Sequence, residues 1–426
     1  MDGTVKTAQV SEQKCLSCNK PVKRYLAGQA NYIACSSCNC WMKITANGSF
    51  QKMNRAPKNW FRKDDPLKPG VKMRFGETEY TVVSATEKAD KDARQFAWRE
   101  YALFHPEKGY LFLSEYDGHW MKLQRTTTPE NEKGLVRVHK GHFFRLFQRS
   151  NSVVLSAKGE FAENIFDKQV RYSEYIDPPY FLSLESSGQN REWYMGEYME
   201  PGEIMDALPG KTGILPKRIG VGAIQPQRRG YSQQTILNFS LILLGLLLLL
   251  ELVFTMSSET KIVVSMNNAE ADSVEIVSPS FELTGLASNL EFDYSSQVNN
   301  NWAEADIMLI NEVTGEMRGI TAGVEYYSGI DDGEAWSEGS SESDFLLSHV
   351  APGKYHLNIK TSHGNSGSGG NYFSLNVKQD APVLSNFFLI AILIMLFPAT
   401  NYMLLRQFEK RRWENSDFSP YYSTEA

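Results

Sequence analysis

TILNFSLILLGLLLLLELVFTM, residues 235–256, decides how everything around it is read. Its 22 residues hold one charge, Glu251. A helix needs about 20 apolar residues to cross the hydrocarbon core of a bilayer, so this segment is long enough. Further along, VLSNFFLIAILIMLFPATNYMLL, residues 383–405, runs 23 residues without a charge. Soluble helices of that length keep a polar face, and neither segment has one. The sequence predicts two transmembrane helices.

Cations flank the outer ends of this pair. Lys217, Arg218, Arg228 and Arg229 precede the first segment; Arg406, Lys410, Arg411 and Arg412 follow the second. The connecting stretch opens SSETK and closes VKQD. Positive charge stays inside, so both termini are expected in the cytoplasm and the connecting loop outside, in the periplasm or extracellular space of a bacterium. Met1 to Val10 has no apolar core of a signal peptide, so the first span is expected to act as its own insertion signal at the inner membrane. Glu251 lies about 25 Å along the helix from Thr235 at 1.5 Å per residue, near the outer interface where a carboxylate can snorkel. Pro398 is expected to kink the second helix near its inner end.

Charge divides along the same line. The first 258 residues hold 35 Lys and Arg against 27 Asp and Glu, whereas residues 259–380 hold 5 against 19. The whole chain of 426 residues nets only -6, so its total conceals two lobes of opposite sign. Apolar residues at 42% and charged residues at 22% are ordinary globular values, which exclude collagen and a disordered chain. Five cysteines are too few to staple a protein of this size.

Four of those cysteines carry a pattern. Cys15-Leu-Ser-Cys18 and Cys35-Ser-Ser-Cys38 form two C-x2-C knuckles sixteen residues apart. Two such knuckles aim four thiolates at one point and fill the tetrahedral shell of Zn²⁺, leaving no open position for catalysis. A structural zinc ribbon is expected, with Cys40 as the spare thiol. Residues 1–70 carry 12 cations against 4 acids, including Arg55, Lys58, Arg62 and Lys63 beside Trp60 and Phe61. In a membrane-tethered chain this patch reads as solubility or attraction to anionic lipid, and no nucleic-acid partner is expected.

Residues 66–208 alternate in short runs. Val71–Phe75, Tyr80–Ser84, Tyr110–Ser114 and Trp120–Gln124 read as strands, as do Val153–Ala157, Val170–Tyr175, Tyr180–Glu185 and Glu192–Tyr198. The expectation is a tandem of two small barrels or sandwiches, with a helix only near Glu203–Leu208. In a strand Trp98 and Glu100 share one face and Tyr101 takes the other, with Glu100 at the wet margin. Tyr80-Thr-Val-Val, Phe96-Ala-Trp-Arg-Glu-Tyr-Ala-Leu, Ile176-Asp-Pro-Pro-Tyr-Phe-Leu-Ser and Glu192-Trp-Tyr-Met-Gly-Glu-Tyr resemble a bacterial domain-of-unknown-function family, number four-one-seven-eight. Ser84 departs from it, standing where a glycine is usual. The resemblance implies a four-cysteine pair ahead of the domain and a place in an envelope-linked system, but no activity.

Between the spans, residues 257–380 show repeated period-two runs and turns such as Pro352-Gly353, predicting a β-sandwich. Asp331, Asp332 and Glu334 gather acid in one loop, a candidate for Ca²⁺. Tyr326, Tyr327 and Trp336 beside it are candidate stacking residues for a ligand.

The fold class predicted is a mainly β multidomain membrane protein. It has a zinc ribbon at 1–56, a cytoplasmic β module at 66–208, a basic linker at 209–234 and spans at 235–256 and 383–405. Its external domain is 257–380 and its cytoplasmic tail 406–426. Walker-type, nucleophile-elbow and dinucleotide motifs are incomplete or absent; Leu208-Pro-Gly-Lys-Thr212, for example, lacks the earlier glycine. The expected function is therefore a non-enzymatic adaptor or sensor with protein partners in an envelope complex. Two alternatives stand beside it: a hydrolase or transferase built around Glu100, His105, His119 and Glu192, and a small homo-oligomeric channel using Glu251.

Overall fold

Alternation of inward and outward side chains carries most of this structure. The computed structural model describes residues 11–26, 28–53, 65–131, 134–211, 213–227, 230–257, 259–269, 274–285, 287–364, 372–381 and 383–421. Arg55, Lys58, Trp60, Phe61, Arg62, Lys63, Thr212, Arg228 and Arg229 lie outside them. Two units result: residues 1–230 with 402–426, and residues 231–401.

The first unit starts with β1 (Ser11–Lys14), β2 (Pro21–Arg24), β3 (Tyr32–Ala34), β4 (Trp41–Ile44) and β5 (Phe50–Lys52). It continues with β6 (Lys72–Phe75), β7 (Thr78–Asp90), β8 (Ala97–His105), β9 (Gly109–Tyr116), β10 (His119–Thr126) and β11 (Val136–His139). After these come β12 (His142–Phe161), β13 (Val170–Asp177), β14 (Tyr180–Ser187), β15 (Asn190–Met199) and α1 (Pro201–Ala207). Strands β7 to β10 and β12 to β15 are two antiparallel meanders. β10 pairs with β15, and β12 pairs with β7, so the eight strands close into one barrel. The expectation of two small barrels is corrected here. Each four-stranded half has two open edges, and joining them satisfies both rows of backbone groups at once. The 20-residue β12 makes the seam: its first half pairs with β13 and its second with β7. Gly159 sits at that seam with φ +89, where a Cβ would stand 2.1 Å from the Val83 carbonyl oxygen.

One outer face of the barrel packs Tyr101, Leu103, Leu111, Leu113 and Trp120 against Leu67 and the apolar side of α1. The cysteine-bearing segment joins the same sheet, because β3 pairs with the end of β12. Glu160 on β12 accepts the backbone N–H groups of Tyr25 and Leu26 and lies 3.8 Å from Arg24.

The second unit holds one long apolar helix, most of another whose residues 402–412 belong to the first unit, and a β domain. Helices α2 (Gln233–Ser257) and α3 (Leu384–Arg412) are long and apolar enough to cross a membrane. Side chains such as Ile242, Leu249, Phe254, Ile392 and Phe397 are exposed rather than buried. Gln233, the first residue of α2, hydrogen-bonds with Asn401 inside α3, and Gln233 Nε2 also donates to the Pro398 carbonyl at 3.2 Å. The β domain has ten strands among the described residues: β16 (Lys261–Ala269), β17 (Glu275–Val277), β18 (Phe281–Leu283), β19 (Ser288–Ser296), β20 (Asn301–Asn311), β21 (Met317–Asp331), β22 (Glu334–Ser340), β23 (Glu342–Val350), β24 (Gly353–His363) and β25 (Tyr372–Gln379). One sheet orders β16-β25-β19-β23; the other orders β17-β24-β20-β21-β22, with β18 also on β24. Alternate residues of both sheets, among them Phe292, Ile307, Leu357 and Leu375, meet in one core.

Candidate ligand cavity and metal centre

The four predicted cysteine ligands come together. Sγ atoms of Cys15, Cys18, Cys35 and Cys38 all lie within 4.8 Å of one another, with Cys15–Cys38 at 3.6 Å and Cys18–Cys35 at 3.8 Å. A tetrahedron with Zn–S bonds of 2.3 Å has edges of about 3.8 Å, so the spacing suits that ion. It is far too long for a disulfide. Each knuckle is built alike. Ser17 and Ser37 direct their N–H groups at Cys15 and Cys35 Sγ at 3.4 Å. Asn19 and Asn39 then turn the chain with φ 57, a left-handed conformation that asparagine tolerates. Cys40 is buried outside the set. The cluster could bind a metal such as Zn²⁺.

Other sequence candidates fare differently. Asp331, Asp332 and Glu334 form the exposed turn of the β21–β22 hairpin, and among the described residues only the four cysteines converge as a metal-ligand set. Tyr327 and Trp336 share one face of that hairpin, with Trp336 lying over Gly329; Tyr326 takes the opposite face and packs on the core. Glu100, His105, His119 and Glu192 do not form one group. His105 Nδ1 accepts the N–H groups of Glu107 and Lys108 in a turn, and Glu192 pairs with exposed Arg125 at 3.1 Å.

Glu100 and His119 instead line a cavity of about 580 Å³ inside the barrel, to which all eight strands contribute side chains. The strand registers set its wall. Lys88 lies opposite Trp98, Glu100 opposite Ser114, Tyr172 opposite Glu185, and Glu174 opposite Ser183, which faces Tyr194 in turn. Glu100 is not at a wet margin, as the sequence suggested; curvature brings it inside. One of its oxygens takes Lys88 Nζ at 2.5 Å and the other takes Trp98 Nε1 at 2.7 Å. Lys88 also donates to Tyr172 Oη at 2.8 Å. Burial works against the Lys88 charge, but Glu100, Tyr172 and Glu185 overcome it and hold the amine protonated well above the usual lysine range.

Glu174 and Glu185 have no such partner among the described residues. Both are half-buried, and their side chains line the cavity. Burial, then the nearby carboxylates, pushes each up to about 7; for Glu185, Lys88 pulls the other way. Aromatic rings complete the wall, with Trp98 edge-on to Tyr172 at 5.9 Å and Phe112 edge-on to Tyr194 at 5.6 Å.

One end of the cavity is capped by residues 219–223 and 411–415. The Arg412 guanidinium donates to the carbonyls of Gly222, Ala223 and Gln225 at 3.2, 2.8 and 2.8 Å, and pairs with Glu409. Trp413 packs on Phe147 with ring centroids 5.3 Å apart. Beneath, His119 Nε2 lies 3.2 Å from the Ile219 carbonyl and Nδ1 lies 3.1 Å from Tyr198 Oη. Burial lowers its pKa, so a neutral ring donates from Nε2 and accepts at Nδ1. Gly222 fits because a Cβ there would meet the His119 ring at 2.7 Å.

Residues 68–201 match the family model described as a domain of unknown function (DUF4178), and the chain carries that domain there. No curated protein matches the chain. Solved structures similar to it include the infectious bursal disease virus Gt strain, at 10% identity over 82% of this chain and 64% of that one, TM-score 0.18. PNGF-II matches at 10% identity over 70% and 67%, TM-score 0.18. The insecticidal delta-endotoxin Cry8Ea1 from Bacillus thuringiensis matches at 7% over 88% and 51%, TM-score 0.16. This chain spans less than two thirds of the first of these, and scores so low carry no argument.

Proposed function

We propose that this protein is a non-enzymatic, two-span membrane sensor or adaptor in a bacterial envelope complex, whose barrel is the receptor on the cytoplasmic side. One observation carries the reading. The barrel cap is made of two segments, 219–223 and 411–415, that lead into α2 and out of α3. A molecule held in the barrel would lie against that cap, and the cap is covalently continuous with both apolar helices. Their uncovered apolar side chains favour lipid over water as surroundings. Flanking cations favour a cytoplasmic barrel and an external acidic β domain. The four thiolates hold Zn²⁺ as a structural ion, which a reducing compartment permits. The test is hydrogen exchange on the full chain in lipid nanodiscs, comparing Arg412→Ala with the unaltered protein. Coupling requires altered protection both in the cap and in the β domain at 259–380. Change confined to the cap would mean independent modules and end the sensor reading.

A further inference from the structure

We infer that the barrel cavity is a binding site for a small organic cation, an amine carried as its ammonium form, seated between the Glu174 and Glu185 carboxylates and the aromatic wall. The inference rests on the reading of the barrel as a receptor and says what it receives.

Size is the first consideration. About 580 Å³ falls within the range of small-molecule sites. Charge is the second. The lining holds six carboxylates (Asp90, Glu100, Asp117, Glu174, Glu185 and Glu414) against three cations, Lys88, Arg411 and Arg412. Lys88 is committed to Glu100 and Tyr172, and Arg412 to Glu409 and the cap carbonyls. Glu174 and Glu185 are left facing the cavity without a hydrogen bond or ion pair among the described residues. An enclosed carboxylate of this kind needs a counter-charge.

A bare metal ion is a poor occupant, because among the described residues no three carboxylate oxygens of the barrel converge within 4.8 Å. A larger cation suits separated carboxylates. Trp98, Phe112, Tyr172 and Tyr194 present the ring surface that attracts ammonium groups and covers their methylenes. Charges facing the pair from neighbouring elements are Glu100 on β8, Lys88 on β7, Glu192 on β15 and Lys168 ahead of β13. Protons compete with the cation for Glu174 and Glu185, so binding should strengthen as pH rises.

The test is calorimetric titration of the full chain in detergent with 1,6-diaminohexane, 1,6-hexanediol and adipate, which share one carbon skeleton and differ in charge. The diamine should bind at least tenfold more tightly than either analogue, and about tenfold more weakly at pH 6 than at pH 8. The double variant Glu174→Gln/Glu185→Gln should abolish diamine binding without lowering the melting temperature, which separates lost binding from lost folding. Diol or adipate binding as tightly as the diamine would overturn the cation inference and leave the receptor reading standing. Binding of none of the three would overturn both. Diamine binding unchanged in the double variant would place the cation elsewhere and overturn the assignment.

Discussion

Glu174 and Glu185 lower stability at neutral pH, and the sign is fixed by their surroundings. Each has a folded pKa of about 7, against about 4.5 in an unfolded chain. Folding therefore retains a proton that the unfolded chain releases. The stability contributed is full below about pH 4.5 and is lost as pH rises through about 7. The loss is at most about 3 kcal/mol for each carboxyl. Glu174→Gln should melt at the same temperature as the unaltered protein at pH 5 and several degrees higher at pH 8, measured in the same detergent. At the other end of the unit, Cys35→Ser should reduce bound zinc from about one ion per chain to near none. Metal analysis and the melting transition of the same sample read both effects. The cysteines were legible because ligand spacing is local: sixteen residues separate two knuckles, and each knuckle closes through its own backbone. Glu174 and Glu185 were not. Glu185 alternates with Ser183 and Ser187 as an ordinary polar residue and Glu174 with Tyr172 and Ile176, and only closure of the barrel tells an inward carboxylate from a solvated one.

Among the elements, β12 is the one whose integrity the fold can least spare. It pairs with β13, closes on β7 and receives β3 of the cysteine segment. Gly159→Ala places a Cβ against the Val83 carbonyl and requires a left-handed backbone, so it should destabilise by about 1–3 kcal/mol or more. Thermal melting of the variant against the parent gives the number. The strands themselves are visible as alternating runs, but of β12 the alternation marks only Val153–Ala157. Its earlier part, His142-Phe-Phe-Arg-Leu-Phe-Gln-Arg, carries apolar residues on both faces, because one face lines the barrel and the other its outer packing. Such a run has no period to detect. The seam between the meanders is non-local pairing, which is why two small barrels were expected where one closed barrel stands. The cap shows the same limit. Arg412 counted only as a flanking cation, yet it clamps three carbonyls of residues 222–225. Arg412→Ala should remove contacts of about 1.5–3 kcal/mol and raise hydrogen exchange across 219–225.

For the molecule as a whole, the account depends on threading: barrel, cysteine cluster and both termini on one side of a membrane, the acidic β domain on the other. Length and composition mark α2 and α3 as capable of crossing, and the proposed assignment of sides rests on the segregation of charge. The native cysteines lie entirely in the first unit, so they serve as an internal control. The most direct measurement is labelling of intact cells with a membrane-impermeant maleimide, using Ser337→Cys on the exposed β22 strand and, separately, Asp417→Cys in the tail. The account predicts that Cys introduced at 337 labels in intact cells, whereas that at 417 labels only after the membrane is opened. Labelling of both, or of the 417 position alone, in intact cells would contradict it.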